Sequence, residues 1–160
     1  MKRIIILISI IFISNSVFAA GGDGGGSTSA SMYDEGVKLV KRAGKLEKKD
    51  KGEKAKKVYT QALKKFEKAL LKDKKNPDVY NYLGYTSRKS GNFTKAEEYY
   101  LSGLKLDPKH NGINEYLGEL YVQTNRIEKA NERLAVLKNC KCEEFQELEL
   151  IIKTKGTKIY

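Results

Sequence analysis

One stretch of the sequence decides the fold, and it covers residues 77–108: PDVYNYLGYTSRKSGNFTKAEEYYLSGLKLDP. Its apolar and small side chains recur three or four residues apart over residues 78–90 and again over residues 94–106, and this spacing predicts two amphipathic helices. Gly91 and Asn92 separate the two segments, because both residue types favour turns. Pro108 ends the second segment, since proline cannot continue a hydrogen-bonded helix. The stretch therefore predicts a helix pair.

The same pattern recurs with a period of 34 residues. Ala62, Ala96 and Ala130 are each 34 positions apart. Further columns with this spacing are Tyr59, Phe93 and Ile127; Phe66, Tyr100 and Leu134; Leu83 and Leu117; Gly84 and Gly118; and Gly91 and Asn125. A fixed period of this length is typical of stacked helical repeats, in which each unit buries its apolar face against its neighbours. Small residues such as Gly84 and Ala96 are expected where two helices cross closely.

These columns resemble those of the tetratricopeptide repeat family. The matching residues are Pro77, Asp78, Val79, Tyr80, Asn81, Tyr82, Leu83, Gly84, Gly91, Asn92, Phe93, Ala96, Tyr100, Leu104, Lys105, Leu106, Asp107 and Pro108. The resemblance implies an all-α fold, a right-handed superhelical stack of antiparallel helix pairs, or α-solenoid. It implies a nearly complete unit at residues 77–110, a second unit at 111–139 and a degenerate, Lys-rich first helix pair at 32–76. Tyr80 stands where the family usually has Trp, and Gly103 where it usually has Ala.

The two ends of the predicted stack depart from the repeat. In the first pair, residues 45–56 are charged and contain a glycine, and they correspond either to an insertion of about six residues or to an extension of the helices. Residues 140–160 are predicted to form a C-terminal capping helix, from Glu143 to about Lys153, and a tail. Such a helix covers the apolar end of a repeat stack. Its polar outer face is expected to be supplied by Glu143, Glu144, Glu147 and Glu149.

The N-terminal segment has the features of an export signal. Lys2 and Arg3 precede an apolar run over residues 4–13, and Val17 and Ala19 place small side chains where signal peptidase requires them. We therefore predict a signal peptide at residues 1–19 and an exported bacterial protein, with the periplasm as its location. A retained membrane anchor is the alternative, disfavoured because the apolar segment is shorter than the ~20 residues of a spanning helix. Residues 20–31, rich in Gly and Ser, are expected to form a flexible linker.

Cys140 and Cys142 lie at the junction between the second unit and the capping helix. Export to an oxidising compartment favours an intrachain disulfide, although so short a ring closes only if the backbone bends. Free thiols, a bond to another protein, and redox or metal chemistry are the alternatives. A metal site is disfavoured because the sequence offers only two soft ligands there.

The sequence holds no residue pattern that predicts catalysis. His110 is the one histidine, and it has no cysteine or carboxylate cluster near it in sequence, so we interpret it as a surface turn residue. The motifs of nucleophilic, phosphate-binding and zinc-dependent enzymes are absent. We therefore predict no enzyme activity, no cofactor and no resident metal.

Positive charge is concentrated in the first helix pair. The chain has a formal net charge of +11, and residues 38–75 hold 16 Lys and Arg against five Asp and Glu. A solvated helical face is one interpretation. Contact with anionic membrane head groups, an acidic protein or a polyanion of the cell envelope is the other. Nucleic acid is a poor candidate partner, since the chain is predicted to be exported and the basic run contains a single arginine, Arg42.

The resemblance also implies a concave groove, lined by the first helix of each pair. The family's usual groove positions correspond to Asp78, Asn81, Tyr85, Arg88, Lys89, Glu115, Glu119, Val122 and Gln123. These side chains are mostly polar, and we predict that core packing does not need them. Glu115 and Glu119 would repel a carboxylate, so a neutral or basic peptide, or a helix, is the expected ligand.

Three hypotheses for the function follow from these patterns. The leading one is an exported adaptor that binds a protein or peptide partner in the groove. The alternative is an envelope tethering or structural protein, in which the Lys-rich helices contact membrane or cell-wall surfaces. The third is a small redox protein that uses the cysteine pair.

Overall fold

The computed structural model of the chain describes residues 28–156, and these residues form helices without a strand. The predicted signal peptide (residues 1–19) and most of the predicted linker lie outside the described residues. The helices are α1 (Ser29–Glu47), α2 (Gly52–Lys72), α3 (Pro77–Lys89), α4 (Phe93–Leu106), α5 (Asn111–Gln123), α6 (Ile127–Leu137) and α7 (Glu143–Lys153). The prediction of an all-α fold is confirmed.

The helices stack as antiparallel pairs. α1 packs on α2, α3 on α4 and α5 on α6, while α2 contacts α3 and α4 contacts α5 between successive pairs. The alanines of the repeat column, Ala62, Ala96 and Ala130, are fully buried where the helices meet. The other buried side chains of the repeat columns are Tyr59, Phe66, Leu83, Tyr100 and Leu117. Most of the periodic residues therefore form the core of an α-solenoid, whereas Phe93 is 41% exposed.

The turns inside the repeats use the residues that the period identified. Gly91 has φ 88° and Asn125 has φ 57°, so both positions adopt the left-handed conformation that glycine and asparagine tolerate best. Asn92 then caps α4, because its side chain accepts a hydrogen bond from the Lys95 N–H. The turn between α5 and α6 is therefore equivalent to the turn between α3 and α4.

The first pair differs from the others by longer helices. α1 has 19 residues and α2 has 21, whereas α3 has 13 and α4 has 14. Of the two alternatives for residues 45–56, the extension of the helices is therefore the one observed, with a short turn at residues 48–51 between them. α1 also begins earlier than predicted, since Thr28 caps it and residues 29–31, assigned to the linker, form its first turn.

Close approach between helices explains two of the glycines. A methyl group at Gly84 would overlap the ring of Tyr100 in α4, and one at Gly118 would overlap Leu148 in α7. α7 packs on both α5 and α6, with Leu148 and Ile151 buried, so it covers the end of the stack as predicted. None of the helices within residues 28–156 is long and apolar enough to cross a membrane.

Candidate functional site

A concave pocket with a volume of about 900 Å³ opens at the C-terminal ends of the first helices of the pairs. α3 contributes Tyr85, Arg88 and Lys89 to its wall, and α5 contributes Glu115, Glu119 and Gln123. These positions follow one another at three- and four-residue spacing, so each helix turns a single face to the pocket. Six of the nine groove residues proposed from the sequence therefore line one cavity.

The other three groove candidates lie elsewhere. Asp78 and Asn81 sit in the first turns of α3, and Asp78 is about 10 Å along the helix from Tyr85, at 1.5 Å per residue. Val122 is buried in the core of the second unit, and the turn after α7 covers it at Gly156. The family's groove positions indicated which face of each helix lines the pocket. They did not indicate over what length of the helix the pocket extends.

Arg88 and Glu119 form a buried ion pair on the wall of the pocket. The Arg88 Nη1 lies 2.5 Å from the Glu119 Oε2, and the two side chains are 4% and 6% exposed. The guanidinium carbon also lies 5.6 Å from the ring centre of Tyr85 and 5.7 Å from that of Tyr116. The pair therefore connects α3 to α5, and the prediction that these polar side chains are not needed for packing is wrong for both.

Glu115 is also buried in the pocket wall, with 2% of its surface exposed. Its Oε1 has no hydrogen-bond partner among the described residues. Burial, its neighbour Glu147 and the charge of Glu119 raise the pKa of Glu115 to about 10. The Glu115 carboxyl is therefore protonated and neutral at neutral pH, not the repelling anion that the sequence suggested.

The opposite side of the pocket is built by the turn between α1 and α2. Glu47, Lys48 and Asp50 line it, and the Lys89 Nζ lies 2.8 Å from the Glu47 Oε1. The Tyr59 hydroxyl donates a hydrogen bond of 2.9 Å to the other oxygen of the same carboxylate. This side was missed by the sequence analysis, because its only signal was the charged run that we had interpreted as an interruption of the repeat.

The capping helix also contributes to the pocket. Glu147 of α7 lines the cavity and interacts with Glu115, whereas we had expected it on the polar outer face of the helix. Since α7 lies against α5, a side chain on its α5-facing edge reaches the concave surface. The site therefore draws on α3, α5, α7 and the α1–α2 turn.

Comparison with known proteins identifies the central helix pair. The family model described as tetratricopeptide repeat matches residues 77–110. Residues 77–110 therefore match the sequence pattern of one tetratricopeptide repeat. This repeat supplies Tyr85, Arg88 and Lys89 to the pocket. No curated protein matches the sequence of the chain.

Solved structures with a similar fold include the type III secretion translocator chaperone SycD of Yersinia enterocolitica. One SycD structure has a TM-score of 0.52 at 20% identity, over 82% of this chain and 92% of SycD. A second, an alternative dimer, has a TM-score of 0.51 at 21% identity, over 77% and 89%. A third, in complex with a peptide of the translocator YopD, has a TM-score of 0.50 at 21% identity, over 77% and 90%. At this identity the likeness shows the tetratricopeptide repeat fold alone.

His110 has a structural role at the end of the tetratricopeptide repeat. Its Nδ1 accepts a hydrogen bond of 3.2 Å from the Ile113 N–H, so the ring caps the N-terminus of α5. Its Nε2 lies 3.1 Å from the Asp78 Oδ1, so the ring also connects the start of α5 to the start of α3. The surface-turn interpretation was therefore incomplete.

Cys140 and Cys142 lie with their sulfur atoms adjacent at the corner between α6 and α7. Their Cα atoms are 5.1 Å apart, within the range that a disulfide needs. Lys141 has φ 52°, which supplies the bend that we expected in so short a ring. Disulfide pairing remains a prediction, which a thiol titration of the folded protein would test.

Proposed function

We propose that this chain is a non-catalytic, exported adaptor of the bacterial envelope that holds a peptide or helix of a partner protein in the pocket between α3, α5 and the α1–α2 turn. The observation that carries the proposal is the pocket itself, because it is concave, open and lined by side chains of α3, α5, α7 and the α1–α2 turn. A superhelical stack creates such a surface by its curvature.

Two further observations support a peptide ligand. SycD, whose fold is similar, was crystallised with a peptide of the translocator YopD. In addition, Gln123 is exposed on the pocket wall, and Tyr85 and Lys89 are only partly buried. Gln123 and Tyr85 are available for contact, whereas Lys89 pairs with Glu47, and Arg88 and Glu119 are occupied by each other.

The location in the periplasm rests on the sequence of residues 1–19. A short cationic start, an apolar run and small residues before Ala19 are the requirements of a cleaved signal. Fractionation of the producing cell, with the N-terminus of the mature protein sequenced, tests this part. Recovery of the chain in the cytoplasm with Met1 retained would contradict it.

Site-specific photocrosslinking in the cell tests the adaptor proposal. A photoreactive amino acid at Gln123 is expected to capture a protein partner, because this side chain is exposed beside the pocket. The matched control is the same amino acid at Lys105, which is exposed on the second helix of the tetratricopeptide repeat and does not line the pocket. Capture at neither position, or the same products at both, would contradict binding in the pocket. Glu119 is unsuitable for this purpose, since any change there disturbs the ion pair with Arg88.

A tethering function has one specific observation in its favour. Of the 16 Lys and Arg in residues 38–75, all except Lys65 are exposed on the first helix pair. An exposed concentration of positive charge attracts anionic surfaces. We therefore keep contact with anionic lipid or cell-wall polymers as the second candidate function.

A further inference from the structure

The acceptor oxygen of Glu115 is unusual within the pocket. Glu115 is 2% exposed, and its Oε1 has no hydrogen-bond partner among residues 28–156, although the neighbouring Glu147 carboxyl interacts with the same group. Buried polar atoms in folded proteins are nearly always hydrogen-bonded. A carboxyl that lines a binding pocket with one oxygen unpaired is therefore prepared to accept a donor that the protein itself does not supply.

The surroundings of Glu115 are acidic. Carboxyl groups face it from its own helix, at Glu119, and from α7, at Glu144 and Glu147. Two of the three cations that line the pocket are engaged, because Arg88 pairs with Glu119 and Lys89 pairs with Glu47, and the third, Lys48, lies on the opposite side in the α1–α2 turn. The aromatic rings of Tyr85 and Tyr116 complete this side of the pocket.

We propose that this wall of the pocket, formed by Glu115 and Glu147, is a subsite for a lysine or arginine side chain of the bound partner. The inference rests on the proposed function and specifies the chemistry of its ligand. A cationic side chain brings N–H donors to the unpaired Oε1 and positive charge to the excess of carboxyl groups, which a neutral amide does not.

The proton on Glu115 fits this role. Because burial and the neighbouring carboxyl groups raise its pKa, the empty pocket holds a neutral acid instead of an isolated buried charge. An arriving cation favours the carboxylate, so the proton leaves as the ion pair forms. The subsite is thus stable when empty and charged when filled.

Two small probes of the same shape test the subsite without knowledge of the natural partner. Acetyl-arginine amide carries a guanidinium, and acetyl-citrulline amide carries an uncharged urea of similar size. Each is titrated into the purified protein, and amide chemical shifts of residues around Glu115 and Glu147 are followed by NMR. The arginine compound is expected to bind at least about tenfold more tightly than the citrulline compound, as for a charge-assisted hydrogen bond.

Variants decide whether Glu115 is the cause of the preference. Glu115→Gln keeps the shape and removes the charge, so it is expected to abolish the preference for arginine. Glu143→Gln, at an exposed position of α7 outside the pocket, is the matched control and should keep it. If Glu115→Gln altered the fold, Glu147→Gln would serve as the second variant and should reduce the preference.

The inference is overturned if the two probes bind equally, if neither binds, or if the preference survives both pocket variants. These outcomes are distinguishable from failure of the proposed function. If a partner is captured at Gln123 and the two probes bind equally, the adaptor proposal stands and only the proposed subsite for a cationic side chain is refuted.

Discussion

At the scale of single residues, the buried pair of Arg88 and Glu119 predicts a large dependence of stability on one carboxylate. Glu119→Gln would leave the Arg88 guanidinium buried without a counterion. Breaking a buried pair in this way costs about 3–5 kcal/mol of the free energy of unfolding, which urea denaturation measures. The control is Glu98→Gln, because the Lys95–Glu98 pair is 48% and 58% exposed and exposed pairs contribute at most about 1 kcal/mol. Equal losses in the two variants would contradict the role of burial.

Glu115 predicts an unusual dependence of stability on pH. The pKa of the Glu115 carboxyl is about 10 in the folded protein, and its ordinary value, which applies to the unfolded chain, is 4.5. Below about pH 4.5 the carboxyl is protonated in the folded and the unfolded chain, so it adds no pH dependence there. Between pH 4.5 and 10 the unfolded chain loses the proton and the folded chain keeps it. Stability therefore falls as pH rises, by at most about 1.4 kcal/mol per pH unit.

Glu115→Gln removes this loss, because an amide does not titrate. The variant is expected to gain stability relative to the original protein as the pH is raised from 5 to 8, as measured by urea unfolding at each pH. Glu143→Gln changes an exposed carboxyl of the neighbouring helix and should show no such gain. A difference between Glu115→Gln and the original protein that stays constant across this range would show that Glu115 is ionised in the fold.

At the scale of the helices, some glycines lie where two helices cross closely, and others lie on open surface. Gly84→Ala would drive a methyl group into the ring of Tyr100, so we expect a loss of about 1–3 kcal/mol from overpacking. Gly44→Ala is the matched control on the first helix of another pair, since nothing lies within 4 Å of the added methyl. It should stabilise by about 0.5–1 kcal/mol, because alanine favours a helix. Thermal unfolding measures whether each variant is less or more stable than the original protein. A loss of stability in both variants would contradict the argument.

The helices themselves were predictable from the sequence because their signal is local. The segments expected at 78–90 and 94–106 are found at Pro77–Lys89 and Phe93–Leu106, and the capping helix is found at Glu143–Lys153. Each prediction needed only apolar spacing and a turn residue. The length of the first pair was less certain, because a charged run at 45–56 is compatible with a loop or with a helix end.

The pocket was only partly predictable, because it depends on contacts between distant parts of the chain. The resemblance to the tetratricopeptide repeat family placed Tyr85, Lys89 and Gln123 on helix faces that line the pocket. It could not show that the α1–α2 turn approaches these helices or that Glu147 reaches Glu115, since neither contact leaves a pattern in the sequence. For the same reason the burial of Arg88 and Glu119 was missed, because polar residues at groove positions are usually exposed.

At the scale of the whole molecule, the charge is divided between its two ends. The first pair carries most of the exposed lysines among the described residues, and the wall formed by α5 and α7 carries several carboxyl groups around Glu115. A partner with a basic segment is therefore attracted to the second end and repelled by the first. If the proposed peptide binds, this asymmetry gives it a preferred direction across the pocket.

The same asymmetry predicts where an anionic membrane would bind. Changing Lys54, Lys57 and Lys64 to Gln removes three exposed charges from α2. Each lysine near an anionic surface contributes about 1 kcal/mol, so co-sedimentation with phosphatidylglycerol vesicles at low salt should fall at least about tenfold. The control changes Lys105, Lys109 and Lys138, which are equally exposed on other parts of the stack. High salt should remove the binding of the original protein, because charges are screened within about 3 Å at 1 M. Equal losses in the two triple variants would show that net charge, not the first helix pair, drives the attraction.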